Sequence, residues 1–219
     1  MHTSKNSTIS SHTNAAGFTL VELMIALVVS GLVMAAVVSV YIAQTRSYGE
    51  HDDVADIQQN LRGALAILTT EIRMAGYDPT RGNVATILTT TPTRLRFTRD
   101  ITGDGDVDDP NEDIEYQLVG TSLGRQTAGA GGFQPLADNI EALEFHYILD
   151  DGTMFANPTP GSVRAVKISL LARASNPAQN FRHAGSYTSA SGNIWNPPQD
   201  NFRRRLVTTT IFCRNMEYK

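Results

Sequence analysis

The stretch FTLVELMIALVVSGLVMAAVVSVYIA, residues 18–43, decides how this chain is built. All but five of its 26 residues are apolar, the exceptions being Thr19, Glu22, Ser30, Gly31 and Ser39. A helix on a soluble protein needs one apolar stripe, not apolarity around its whole circumference. At about 1.5 Å per residue the run extends about 39 Å, enough to cross a hydrocarbon core of about 30 Å. It exceeds the apolar stretch of a secretory signal, about 7–15 residues, and leads into further helical sequence instead of a small-residue cleavage site. A plain membrane anchor accounts for the length but not for Glu22. A carboxylate in a membrane helix costs about 3 kcal/mol and is retained for a purpose.

One step outward, Gly17-Phe18-Thr19-Leu20-Val21-Glu22-Leu23 resembles the processing motif of type IV pilins and type II secretion pseudopilins. The resemblance implies that a prepilin peptidase cuts between Gly17 and Phe18 on the cytoplasmic side and methylates the new N-terminus, Phe18. Loss of a leader spanning residues 1–17 would leave 202 of the 219 residues. The resemblance also implies an assembly role for Glu22, whose carboxylate meets the N-terminal ammonium of a neighbouring subunit in the filament. Glu22 stands one helical turn after Phe18, on the same face. Each charge then offsets the other's desolvation in an apolar bundle. Ala15, Ala16 and a single lysine, Lys5, make this leader less basic than many in the family.

Beyond Ala43 the pattern becomes amphipathic. Val54, Ile57, Leu61, Leu65, Leu68 and Ile72 recur at spacings of three and four, one stripe of a continuing helix. Arg46, Glu50, Asp52, Asp53, Asp56, Arg62, Glu71 and Arg73 fill the more polar remainder. Gly76 suits a C-terminal cap and Pro79 prevents continuation. The stretch from Ile57 to Tyr77, above all Glu71-Ile72-Arg73-Met74-Ala75-Gly76-Tyr77, resembles PilW-type minor pilins and the related J-type pseudopilins. That resemblance, with the chain length, favours a minor pilin over an abundant major one.

From about Val84 the chain reads as short strands between turn-rich loops. Leu95 and Phe97 alternate, as do Ile114, Tyr116 and Leu118, and then Leu143, Phe145, Tyr147 and Leu149. Residues 163–172 and 206–213 are further strand candidates, rich in β-branched residues and leucine. Residues 176–201 are polar, carry Pro177, Pro197, Pro198 and Gly192, and show no period, as expected of a long surface loop or a partner-binding excursion. The expected class is α+β. A long N-terminal helix, membrane-spanning in its first half and amphipathic in its second, packs on a C-terminal antiparallel β-sheet domain, the pilin fold. The expected divisions are a cleaved leader (1–17), a membrane or filament-core helix (18–45), an amphipathic helix (46–76) and a β-rich periplasmic or surface domain (77–219).

The segment from Asp100 to Asp113 is the candidate for ligand chemistry. Asp100, Thr102 and Asp104 alternate and Gly105 follows, as in the first half of an EF-hand-like calcium loop. Asp106 and Asp108 could add ligands, and Glu112 could close the site. The usual twelfth-place acid falls on Asn111, with Glu112 one residue late, and strands replace the usual flanking helices. A solvated acidic turn is the competing reading.

Other candidates do not assemble. His51, His146 and His183 share no metal-ligand spacing, and no serine or cysteine has a partner that would make it a nucleophile. Cys213, the single cysteine, excludes an intrachain disulfide and reads as a buried small apolar residue. Residues 128–132, Ala-Gly-Ala-Gly-Gly, lack the Gly-Lys-Ser/Thr ending of a phosphate loop and suit a flexible turn. Arg203, Arg204 and Arg205 suggest a solvated edge or a contact to an acidic partner. A net charge of −4, with 18 basic and 22 acidic side chains, argues against a dedicated nucleic-acid binder.

The expectation is therefore a non-enzymatic minor pilin that needs no cofactor, with a possible structural calcium. Its partners would be the prepilin peptidase, the inner membrane before assembly, other minor pilins and the major pilin. It would move from a single-pass inner-membrane location, its C-terminal domain periplasmic, to the pilus, and family analogy adds a tip complex that primes assembly. The alternatives are a J-type pseudopilin of a type II secretion system, or a pilus-tip adhesin or DNA receptor using residues 176–201 and Arg203 to Arg205.

Overall fold

The computed structural model of the chain describes residues 17–127 and 131–216, with side chains except those of residues 46–53. Residues 1–16 of the expected leader (1–17), the side chains of Arg46, Glu50, His51, Asp52 and Asp53, and residues 128–130 of the expected turn (128–132) thus lie outside the described residues. Two compact units divide between Ser47 and Tyr48. One helix, α1 (Leu20–Arg73), contributes to both.

In the first unit, Leu20–Thr45 is long and apolar enough to cross a membrane, and none of it is buried within the chain. Its few polar side chains satisfy themselves locally. Ser30 Oγ donates to the Ala26 carbonyl at 2.6 Å, Ser39 Oγ to that of Ala36 at 2.8 Å, and Thr45 Oγ1 to that of Tyr41 at 2.9 Å. Such back-bonding removes free hydroxyls from the surface, so what this unit offers its surroundings is apolar. Leu20, Val21, Leu23, Met24, Ile25 and Leu27 are all exposed.

The second unit is built on the amphipathic part of α1. Ile57, Leu61, Ala64, Leu68, Ile72 and Ala75 are buried at spacings of three and four, while Val54 and Leu65 are half-buried. The helix ends in a tightened turn, with Met74 N–H donating to the Glu71 carbonyl and Ala75 N–H to that of Ile72. Gly76 follows at φ +76° and gives its N–H to the Thr98 carbonyl at 2.9 Å. A Cβ there would stand 2.6 Å from Met216 Sδ, so glycine is required both for the left-handed turn and for close packing.

A five-stranded antiparallel meander follows: β1 (Ile87–Thr90), β2 (Arg94–Thr98), β3 (Asp113–Val119), β4 (Ser122–Thr127) and β5 (Gln134–Ala137), in that spatial order. Its alternating residues Leu95, Phe97, Ile114, Tyr116 and Leu123 are buried in one core with the helix stripe. Phe97 pairs with Ile114 and Leu95 with Tyr116 across β2 and β3. The remaining strands are β6 (Ile140–Leu149), β7 (Met154–Phe155), β8 (Val163–Arg173), β9 (Tyr187–Thr188), β10 (Ile194–Trp195) and β11 (Arg204–Phe212). They form a four-stranded sheet, β11-β8-β6-β7, and a small β9–β10 hairpin. Leu143, Phe145 and Tyr147 pair with Leu170, Ile168 and Val166 and complete the core. The expected α+β architecture and its antiparallel strands are what forms. The structure adds β1, β4, β5, β7, β9 and β10, which the periodicity did not show.

Residues 176–201 are less of an excursion than their composition suggests. Strand β8 is buried on both faces: Val166, Ile168 and Leu170 belong to the core, whereas Ala165, Ser169 and Leu171 are buried outside it. The β9–β10 hairpin reaches this second face. Ala190 N–H donates to Ser169 Oγ at 2.9 Å, and Glu144, opposite Ser169 on β6, accepts from Ser191 Oγ at 2.7 Å and Asn193 Nδ2 at 2.5 Å. Burial raises the Glu144 carboxyl, but hydrogen bonds from Ser189, Ser191 and Asn193 outweigh it and hold Glu144 below the usual range.

Candidate assembly helix and acidic loop

Gly17, Phe18 and Thr19 precede the first turn of α1, so the expected scissile bond lies in non-helical backbone. Thr19 caps the helix. Glu22 N–H donates to Thr19 Oγ1 at 3.2 Å, while Glu22 Oε2 accepts from the Thr19 N–H at 2.8 Å and its hydroxyl at 2.9 Å. This reciprocal capping box satisfies donors that the helix end leaves free. Thr19 was not among the expected site residues, although Thr-x-x-Glu ahead of an apolar run is a legible signal. Glu22 therefore has a local function as well as the intersubunit one its position suggests. Phe18, 91% exposed, stands just outside the cap.

The acidic loop joins β2 to β3. The last pair of that ladder is Thr98 with Asp113, and Arg99 N–H continues it to the Glu112 carbonyl at 2.9 Å. Strand register thus brings the two ends of the loop together and sets Asp100 beside Glu112. Asn111 adopts φ +69°, and its side-chain Oδ1 accepts from Arg125 Nη2 at 3.0 Å. With strands as flanks, the ladder places Glu112, and not Asn111, beside Asp100.

One carboxylate oxygen from each of Asp100, Asp104 and Glu112 lies within 4.8 Å of the others. Asp100 and Glu112 are fully buried, and Asp104 is exposed. Asp100 accepts from the N–H groups of Gly103 at 2.5 Å and Gly105 at 3.1 Å, both at positive φ. Glu112 Oε1 accepts from Ile101 N–H at 2.7 Å, Thr102 N–H at 3.1 Å and Thr102 Oγ1 at 3.2 Å. Glu112 Oε2 is buried with no hydrogen-bond partner. Thr102 thus touches the closing acid, whereas Asp106 and Asp108 do not join the trio. They are exposed, and Asp106 accepts from the Asp108 N–H at 3.2 Å. Asp106 holds the Asp108 carboxyl above its usual range, by a shared hydrogen bond and then by repulsion.

Elsewhere several polar groups are committed to ion pairs, hydrogen bonds or ring contacts within the fold. Glu71 turns inward instead of facing solvent, accepting from Arg125 Nε at 2.9 Å and Nη2 at 2.8 Å and from the Tyr116 hydroxyl, with Arg99 Nη2 at 3.4 Å. Arg204 is not a solvated edge residue. Its side chain is enclosed and pairs with Glu141 and Asp200, and the Arg204 hydrogen bond lowers the Asp200 carboxyl to about 2. The Arg203 guanidinium lies 4.7 Å from the Phe181 ring centroid. His183 is buried, hydrogen-bonded to the Gly185 carbonyl and stacked on Tyr187. Burial pushes the Cys213 thiol up to about 12, as suits an inert packing residue. A polar surface cavity of about 400 Å³ is lined in part by Asp56, Asn60, Asp138, Arg173 and Ser175.

An exposed apolar helix with a capping threonine and glutamate, continuing into a helix–sheet core, defines a type IV pilin-like protein. The chain belongs to the PilW family, type IV pilus-assembly protein W, whose profile matches residues 106–215, half of the chain. The prokaryotic N-terminal methylation motif matches residues 12–38. The structure is similar to the type IV-like pilin TTHA1219 of Thermus thermophilus, at 17% identity and a TM-score of 0.50, over 73% of this chain and 97% of that one. At that identity the likeness concerns the fold alone. No curated protein matches the chain. The family span begins inside the acidic loop, so residues 57–77, which first suggested PilW, lie outside it, as do Asp100 and Asp104. Pilin-like families are structural rather than catalytic, and the methylation motif with its apolar helix fits inner-membrane anchoring followed by incorporation into a pilus.

Proposed function

We propose that this chain is a minor pilin, processed between Gly17 and Phe18 and assembled through α1, that primes a type IV pilus within a tip complex. The observation that carries the reading is the Leu20–Thr45 helix, wholly unburied within its own chain and headed by Phe18 and Glu22. Roughly 25 cal/mol is gained per Å² of apolar surface removed from water, so this surface requires a cover at every stage. The inner membrane provides it before assembly, and the helices of neighbouring pilins provide it afterwards. Glu22 and the methylated Phe18 then set axial register between subunits, and the sheet domain makes the lateral contacts. Family membership supports a place in pilus assembly, and the methylation motif supports the processing step.

A strain lacking this gene tests the role directly, with surface pili counted by electron microscopy and exported proteins assayed in the same cultures. Pili should be lost and secretion retained. Intact pili with lost secretion would transfer the protein to the J-type pseudopilins, and two normal results would favour a dispensable tip adhesin or receptor. Processing has its own check: the intact mass of the protein recovered from filaments should correspond to a chain beginning at methylated Phe18. A mature product retaining Met1 would remove the processing step from the proposal.

A further inference from the structure

We propose that Asp100, Asp104 and Glu112 form a calcium site that clamps the β2–β3 loop onto the turn after α1. Three observations converge. Carboxylate oxygens of the trio lie within 4.8 Å of one another, a span that one ion bridges with bonds of about 2.3–2.6 Å. Two of the three carboxylates are fully buried, and among the described residues no arginine, lysine or histidine forms an ion pair with either. The neighbouring cations are committed elsewhere, Arg99 to Glu71 and the Asn111 carbonyl, Arg96 to Asp113. Third, Glu112 Oε2 is buried without a donor, although its sister Oε1 takes three. A buried, negatively charged acceptor lacking a partner is costly unless a cation completes it.

The ligand chemistry selects the ion. All candidate donors are oxygens, with no histidine or cysteine in the trio, which disfavours zinc. Calcium accepts irregular sets of 6–8 oxygens, whereas magnesium demands near-octahedral bonds of about 2.0–2.1 Å and keeps much of its water. A loop turned by Gly103 and Gly105, with carbonyls and water free to add ligands around one exposed aspartate, suits the larger ion. A site with only three carboxylates, one of them exposed, belongs with extracellular modules, whose dissociation constants are about 10⁻⁴–10⁻³ M.

The position gives the ion a mechanical consequence. Asp100 N–H donates to the Tyr77 carbonyl at 2.8 Å, and Gly76 N–H to that of Thr98, so the base of the loop is tied to the end of α1. Gly103 and Gly105 lie against Pro79 and Thr80, where a Cβ would come within 3.4 and 3.9 Å. Calcium at the trio fixes this junction once the domain reaches a calcium-rich compartment. The inference does not depend on a role in priming pili, because it is read on the isolated protein.

The test is calorimetric titration of the detergent-solubilised full chain with calcium chloride, alongside thermal melts in calcium and in chelator. One ion per chain should bind, the melting temperature should rise, and excess magnesium should not substitute. Asp104→Asn, an exposed change that leaves the core intact, should weaken binding at least about tenfold, the loss of one charged ligand among three. Asp151→Asn, in the unrelated β6–β7 turn, should leave it unchanged. No binding at about 10 mM calcium, far above the expected constant, would overturn the proposal. So would binding that Asp104→Asn does not weaken, since the ion would then lie elsewhere.

Discussion

Glu22→Ala should all but abolish incorporation into filaments while leaving membrane insertion intact. The helix keeps ample apolar length without the carboxylate, so the membrane-bound pool should persist. Incorporation differs because the neighbour's ammonium then enters an apolar bundle with no counter-charge. Removing one member of a buried pair costs about 3–5 kcal/mol, and even the lower figure corresponds to roughly a hundredfold loss. The capping box adds a second, smaller effect, since Glu22 also accepts the Thr19 N–H. Glu22→Gln separates the two, because glutamine retains the cap but not the charge. The ratio of protein in sheared filaments to protein in membranes, read by immunoblot, should fall for both variants. Incorporation of Glu22→Gln at the wild-type level would confine Glu22 to capping.

Glu71→Ala should strongly destabilise the helix–sheet unit. It strips Arg125, Arg99 and the Tyr116 hydroxyl of a shared acceptor. The side chains of Arg99 and Arg125 are only 11% and 22% exposed, so water replaces little of the loss. A cost of about 3 kcal/mol follows, a large share of a total stability of roughly 5–15 kcal/mol. The Arg94–Glu115 pair is the useful contrast. Its arginine is 48% exposed, and removing it should cost no more than about 1 kcal/mol.

Glu71 also confers a pH dependence. Burial raises its carboxyl, but hydrogen bonds from Arg125 and Tyr116 and the charges of Arg125 and Arg99 prevail and hold it below the usual range. A carboxylate depressed in the folded state contributes its full stability above the unfolded value of about 4.3 and loses it as pH falls through the lower folded value. Chemical denaturation at neutral pH and near pH 3 should therefore show a smaller acid loss for Glu71→Gln than for the wild type. Equal losses would mean that the carboxylate is not held low.

Residue by residue, what could be read in advance follows the range of the interactions involved. Phe18 to Ala43 declared itself because apolarity around a whole helix is a local property. The alternation of Leu143 to Leu149 and the Ile57–Ile72 stripe were equally plain, each being one element's own period meeting one core. Strand β4, Ser122–Thr127, was not. Its sequence Ser-Leu-Gly-Arg-Gln-Thr buries only Leu123 and Gly124, and it is a strand because β3 and β5 supply ladders on both sides. Glu71 looked like part of a polar helix face because its principal partner, Arg125, lies 54 residues away. The same distance effect hid Arg204, whose partner Glu141 is 63 residues distant, and the anchoring of residues 176–201 on Glu144 and Ser169.

The sequence by itself determined the protein's class. Gly17-Phe18 before an apolar helix with one carboxylate states it, and needs no folded domain to do so. It also announced an acidic loop with calcium-like spacing. Only the tertiary structure decided which of those acids converge, because the pairing of β2 with β3 sets Glu112 beside Asp100 while Asp106 and Asp108 stay in solvent. Periodicity reports what one element does with its own faces. Which distant charge meets which is fixed by register and packing, and those exist only once the sheets have formed.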